Sequence, residues 1–119
     1  MYSLVTTNLQ IKQGTTFRQQ WTWKTGDPLG PVDLSGCTAR CQFRQKVTAP
    51  TVLLDLTTEN GGIVLGGSSG TVELVVLPEQ TAGVTWRDAV YDLEIYFGPQ
   101  EVVSFAEGSV KLAPEVTRD

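Results

Sequence analysis

AVYDLEIYFGPQEVVSFAEGSVKLAPEVTR, residues 89–118, reads as one β-hairpin, and the rest of the chain reads as strands that pack against it. Tyr91, Leu93, Ile95 and Phe97 alternate with Asp92, Glu94 and Tyr96. Side chains of a strand repeat every second residue, so this spacing gives one apolar row and one polar row on opposite faces. Gly98-Pro99-Gln100 turns the chain. On the return, Val103, Phe105, Val110 and Leu112 reach a common core only if the register slips by one residue; the glycine of Ala106-Glu107-Gly108 predicts a β-bulge there.

A chain of 119 residues is long enough to bury a core without metal or disulfide support. Its net charge of −4, with basic residues scattered apart from the loose group Arg40, Arg44 and Lys46, excludes a phosphate-binding groove, so no nucleic-acid partner is expected. The N-terminal stretch MYSLVTTNLQIKQG has neither a basic leader nor a continuous apolar run, and no apolar run approaches the ~20 residues of a membrane helix. The expectation is synthesis and assembly in the cytoplasm without a membrane. Cys37 and Cys41 fit that compartment: on one extended strand their Cα atoms would lie ~13 Å apart, beyond the disulfide limit of about 7 Å. A zinc site built on them lacks ligands, because the chain has no His and no other Cys.

Working back along the chain, Tyr2 to Ile11 reads as an edge strand open to a partner chain. Thr15 to Lys24 alternates with Phe17, Gln19, Trp21 and Trp23 on one face. The segment TGDPLGPVDLSG, residues 25–36, predicts a long surface loop. Cys37, Ala39, Cys41 and Phe43 then form the inward row of a central strand, and Val52, Leu54 and Leu56 that of a short one. Ile63 to Leu65 and Thr71 to Val76 flank Gly66-Gly67-Ser68-Ser69-Gly70, which is a hairpin turn and not a phosphate cradle, since a strand follows where a cradle needs a helix. Residues 78–84, opening with Pro78 and Glu79, allow one helical turn. Seven or eight short, mostly antiparallel strands with turn signals between them describe an all-β sandwich. The helical turn followed by an inward Tyr91 is similar to the crossing between sheets in immunoglobulin-like sandwiches, which makes Tyr91 the candidate corner tyrosine. The predicted organisation is a single immunoglobulin-like β-sandwich over 1–119, with an N-terminal edge segment 1–11 and a C-terminal tail 113–119.

Catalytic machinery is sparse. Without His there is no imidazole base and no Ser-His or Cys-His pair. Asp92 and Glu94 share a face, but beside solvent neither pKa is driven toward acid–base work. Asp27 and Asp33 match no calcium-loop spacing. Trp86, on a connection, is a candidate for stacking on a sugar ring, against the plainer reading of an aromatic covering the sandwich end. No catalytic residue, metal or cofactor is expected.

The order DLSG–CTARCQFR, a Gly-rich hairpin, GTVELVVLPEQTAGV, VYDLEIYF and EGSVKLAPEVTR, running from about Val32 to the C-terminus, resembles a recurrent type of small virion protein of tailed bacteriophages. In that type DLTG, YDLE and a final G-x-V-x-V-x-P-E-V-T-R recur in this order. The resemblance implies a non-enzymatic structural component, located in the virion after synthesis in the host cytoplasm. Its partners would be other virion proteins, and it would form a homo-oligomer within the particle. The first expectation is a tail or baseplate adaptor, the second a capsid decoration (cement) protein, and the third, from another class, a host-glycan binding module using Trp86. Ala113, Pro114, Glu115, Val116, Thr117 and Arg118 are the candidate partner-binding arm, kept extended by Pro114.

Overall fold

The computed structural model describes residues 4–117. The long hairpin forms from β10 (Asp88–Gly98) and β11 (Glu101–Ala113). Ala89, Tyr91, Leu93 and Ile95 are buried, while the alternate residues face outward, as the alternation predicts. The bulge lies earlier than expected. Leu93 pairs with Ala106 and Glu94 with Ser104, so Phe105 is the extra residue, and Phe105 and Ala106 are both buried. Two adjacent apolar side chains can enter one core only where the period-two alternation is interrupted, so burial places the bulge and the glycine does not.

Around this hairpin, β6 (Thr38–Arg44) pairs with β10, and β7 (Leu54–Thr57) with β6, both antiparallel. On the far side of β11 run β1 (Val5–Thr6) and β2 (Leu9–Lys12), both parallel to it. The larger sheet therefore has the order β1/β2-β11-β10-β6-β7. The second sheet is β3 (Phe17–Thr22), β9 (Thr71–Val76) and β8 (Ile63–Leu65), in that order. If β1 and β2 are counted as one interrupted strand, these two sheets hold eight strands among the described residues, an immunoglobulin-like sandwich. Two details differ from expectation. Residues 25–36 are not wholly loop, because β4 (Lys24–Thr25) and β5 (Gly30–Pro31) pair as a small ribbon around a cis Asp27–Pro28 bond. Val52, expected in the inward row of the short strand, precedes β7. The helical turn expected within 78–84 forms as α1 (Pro78–Thr81).

The N-terminal segment departs most from its reading. It does form an edge of the larger sheet, but one held by its own chain and not by a partner: it pairs with β11, and Leu9 and Ile11 are each 1% exposed and belong to the core. The expectation for Tyr2 falls outside the described residues. Thr7, between β1 and β2, carries the connection. Its N–H donates to the Glu107 carbonyl at 2.9 Å, its carbonyl accepts the Tyr91 hydroxyl at 2.6 Å, and its Oγ1 accepts the Trp21 indole N–H at 3.1 Å. Asn8 Oδ1 accepts the Ser109 N–H at 3.1 Å, standing in for a strand partner where the ladder breaks. The Thr7 carbonyl passes so close over Gly108 that a Cβ at that position would collide with backbone. This close approach is what Gly108 provides, and no bulge is needed there.

Between the sheets, Trp23 packs against Phe105 (ring centroids 5.2 Å apart) and Phe97 (5.8 Å), and Trp21 meets Phe105 edge-on at 5.8 Å. Cys41 and Ala39 are small and buried where β6 lies against the second sheet. Gly108→Ala is expected to lower unfolding free energy by about 1–3 kcal/mol in urea titration, since the obstructing atoms are backbone and cannot rotate away. An unchanged midpoint would contradict the Thr7 contact.

Candidate functional site

The site is built from the outward residues of the larger sheet, whose register sorts them into rungs. Glu94 stands beside Arg40 and Ser104. One step along, Asp92 lies between Glu107 and Gln42, with Asp55 beyond Gln42 and Thr6 beyond Glu107. The next rung holds Ser109, Val90 and Arg44, and the one after it Gln10, Lys111 and Asp88. Lys12 closes the face opposite Ala113. A hollow of about 480 Å³ lies over the middle rungs, lined by Gln42, Arg44, Val47, Val90, Asp92 and Glu107 among others.

The polar groups here hold one another in place. Arg44 donates to Gln42 Oε1 at 2.8 Å and to the Ala49 carbonyl at 2.7 Å, which lays its guanidinium along the sheet. The Tyr96 hydroxyl donates to Glu94 Oε1 at 2.9 Å; that bond, with partial burial, pushes the Tyr96 pKa up. Asp92 is raised above the ordinary carboxylate value by partial burial and then by the like charges of Glu94 and Glu107, with Arg44 opposing. Asp88 and Lys111 form an ion pair on the exposed end. Asp92 and Glu94 thus share the outward face as expected, but the expectation that solvent leaves both carboxyls unshifted fails for Asp92, which partial burial and its acidic neighbours raise.

The other singled-out residues lie elsewhere. Trp86 is partly buried, its ring set edge-on to Phe43 at 6.4 Å and 81°. Tyr91 lies inward in the first half of β10, but the corner-tyrosine expectation fails: its hydroxyl bonds Thr7 and not the connection before β10. That crossing is held by Gln13, whose Nε2 donates to the carbonyls of Thr81 (2.9 Å), Ala82 (3.3 Å) and Val84 (2.9 Å), while Gly14 N–H donates to Thr81 Oγ1 at 2.8 Å. The chain enters β10 from a turn whose carbonyls Gln13 already satisfies, so Tyr91 is free to bond Thr7. Nothing in the local sequence signals a contact across 68 residues. Asp33 accepts the Ser35 N–H at 3.0 Å and is lowered by the hydrogen bonds of Ser35; no metal-binding cluster occurs among the described residues. Cys41 is buried and its thiol pKa is pushed up by that burial, and Cys37 is partly exposed. No described helix is long and apolar enough to cross a membrane.

The arm begins later than expected. Ala113 is the last residue of β11: it pairs with Lys12, and its carbonyl accepts the Gln13 N–H at 2.8 Å. The Glu115 carboxylate lies against Gly14. Pro114, Val116 and Thr117 are exposed, Val116 by 86%, and Arg118 falls outside the described residues.

No family model matches the sequence, and no curated protein does. Among solved structures the chain is similar to a chicken TCR, at 10% identity and a TM-score of 0.57. The match covers 98% of this chain, which spans 57% of the length of that one. The likeness establishes an immunoglobulin-like sandwich. With 189 solved chains matching, a fold so widely shared selects no function among those it hosts.

Asp92 offers a measurable check on the electrostatics of the face. A carboxyl whose folded pKa is raised contributes stability below its unfolded pKa and loses it as pH rises through the folded value. Asp92→Asn is therefore expected to raise the melting temperature at pH 7, with the difference from the parent shrinking toward pH 3. A variant less stable than the parent at pH 7 would contradict the like-charge crowding.

Proposed function

We propose that this chain is a non-enzymatic structural component of a phage virion, assembling through protein–protein contacts as a tail or baseplate adaptor. The order of the quoted motifs carries the reading: DLSG leads into β6, YDLE lies in β10, and GSVKLA ends β11, after which Pro114, Val116 and Thr117 are exposed. Each motif thus has structural work to do, turning a chain, building a central strand or leaving the sheet. None of them gathers groups for a reaction. Asp92 and Glu94, the one carboxylate pair considered for acid–base chemistry, lie on an open sheet face with Glu94 engaged by Tyr96. Immunoglobulin-like sandwiches serve widely as binding and assembly modules, in keeping with this reading.

Main-chain pairing by an extended arm gives affinity with little demand on side-chain identity, which suits a subunit repeated around a symmetric particle. Pro114 prevents β11 from continuing, and Val116 presents an apolar side chain to solvent beyond it.

Labelled antibody or cryo-microscopy on purified virions tests the proposal. The expected result is density at the tail or baseplate. Density on capsomers would select the decoration role instead, and absence from mature particles would overturn a structural role. Removing residues 114–119 is expected to leave the melting temperature nearly unchanged and to abolish incorporation; unfolding of the truncated chain would refute the arm.

A further inference from the structure

The smaller sheet ends on one side in an open strand edge, and we propose that the same edge of a second copy of this chain pairs with it, antiparallel, about a two-fold axis at Gln20. The inference deepens the reading above and rests on it in one respect, that the chain assembles through protein–protein contacts. An open edge is a row of unpaired main-chain groups, and folded proteins shorten, interrupt or cap such rows. The other edges of this sandwich are treated so. β7 has four residues, and Asn60 caps it: Nδ2 donates to the Asp55 carbonyl at 2.9 Å, and Oδ1 accepts the Thr57 N–H at 2.9 Å. β8 has three residues, and β1 and β2 are interrupted at Thr7 and Asn8. β3 is different. Its six residues pair with β9 in unbroken register, without bulge or proline, and among the described residues no strand lies on its other side.

The direction of the free groups follows from the ladder. The Trp23 N–H donates to the Gly70 carbonyl at 2.8 Å, so in the same register Phe17, Gln19 and Trp21 turn their main-chain groups toward β9. Arg18, Gln20 and Thr22 turn theirs to the open side, and all three residues are exposed. Gln19 Nε2 donates to the Gln20 carbonyl at 3.3 Å, a long bond in the place where a further strand would set an N–H. The inward row of β3 is also incompletely covered. Phe17, Gln19 and Trp21 are half-buried, whereas Val72, Leu74 and Val76 on β9 are each 0% exposed. A hollow of about 250 Å³ lies beside this row, lined by Val5, Trp21, Trp23 and Phe105 among others.

These groups require an extended strand, and β3 of a second copy supplies one that reads well against itself. With the axis at Gln20, Arg18 pairs with Thr22 and Gln20 with Gln20, so the open main-chain groups of all three residues find partners and no like charges face each other. An axis at Trp21 would set Arg18 over Lys24 of the other copy, cation against cation, and an axis at Arg18 would set that residue over itself. An axis at Gln19 would leave Thr22 facing Thr16, outside the strand. The Gln20 register also brings Phe17 of the copy opposite Trp23, at the hollow, and doubles the three-stranded sheet.

Sedimentation equilibrium and amide hydrogen exchange of the full chain test this. The parent is expected to dimerise, and the amides of Arg18, Gln20 and Thr22 to gain about threefold or more protection between ~10 µM and ~0.5 mM, while those of Gln19 and Trp21 stay protected throughout. Gln20→Pro removes the central donor but no bond to β9, at an edge position where proline is tolerated. It is expected to keep the parent's circular dichroism spectrum and to weaken the dimer about tenfold or more. Thr22→Lys and Thr22→Glu, both on the exposed row opposite Arg18, stand in for a proline variant that fails to fold; they are expected to weaken and to tighten the dimer, respectively, about threefold. A parent monomeric at ~0.5 mM, a dimer that leaves the three amides unprotected, a Gln20→Pro dimer as tight as the parent, or Thr22 variants that do not shift in opposite directions overturns the pairing. Loss of the dimer on removing residues 114–119 would make the arm the occupant of this edge and overturn the second copy. A dimer that meets these expectations and is absent from virions would overturn the virion role and leave the pairing standing.

Discussion

The position of Thr7 over Gly108 is the constraint on which the rest depends. A strand can cross another backbone this closely only where no Cβ intervenes, and the glycine of β11 supplies that opening. Thr7 then binds the larger sheet through Glu107 and Tyr91 and the smaller one through Trp21. Thr7 therefore fixes the register of β1 and β2 on β11, and with it the burial of Leu9 and Ile11. The next residues of the same segment, Gln13 and Gly14, hold the helical turn that leads to β10. One short N-terminal segment thus ties the closing edge of the sandwich to the crossing between its sheets.

This arrangement leaves the opposite side of β10 and β11 without structural duties. Their inward rows hold the core, and their outward rows are available to present charge. Buried Ala39, Cys41 and Phe43 alternate on β6 with Arg40, Gln42 and Arg44, so the same alternation that makes the core also makes the face. On a strand, fold and surface chemistry are written in alternate letters, and a substitution at an outward position can change association with little effect on the sandwich. The arm after Ala113 is separate again. It begins where Pro114 ends the ladder, at the end of the sheet beside Lys12 and Gln13.

The all-β class, the hairpin, the inward rows of β6 and β10 and the turn at Pro78 are legible in the sequence, because each follows from contacts between near neighbours or from a period of two. Four features are not. The pairing of β1 and β2 with β11 depends on partners a hundred residues apart, and Thr-rich edge segments look alike whether their partner is in the same chain or another. The bulge at Phe105 follows from two consecutive apolar residues both entering the core, which a search for glycine overlooks. Tyr91 was readable as inward, but the corner role read for it was not right: its hydroxyl bonds Thr7, and Gln13 holds the connection before β10. Of the outer face, Asp92 and Glu94 were readable as neighbours; Glu107, Asp55 and Arg44 joined them only once the register was known.

The N-terminal segment, although it lies at the edge of the larger sheet, is part of the folded unit. Native-state hydrogen exchange at the amides of Thr7 and Gln13, which donate to Glu107 and Ala113, measures this directly. Both amides are expected to exchange only on global unfolding, with the same free energy and denaturant dependence as the amides of β10. Exchange of these two amides at the rate of a fraying terminus, while β10 stays protected, would contradict it.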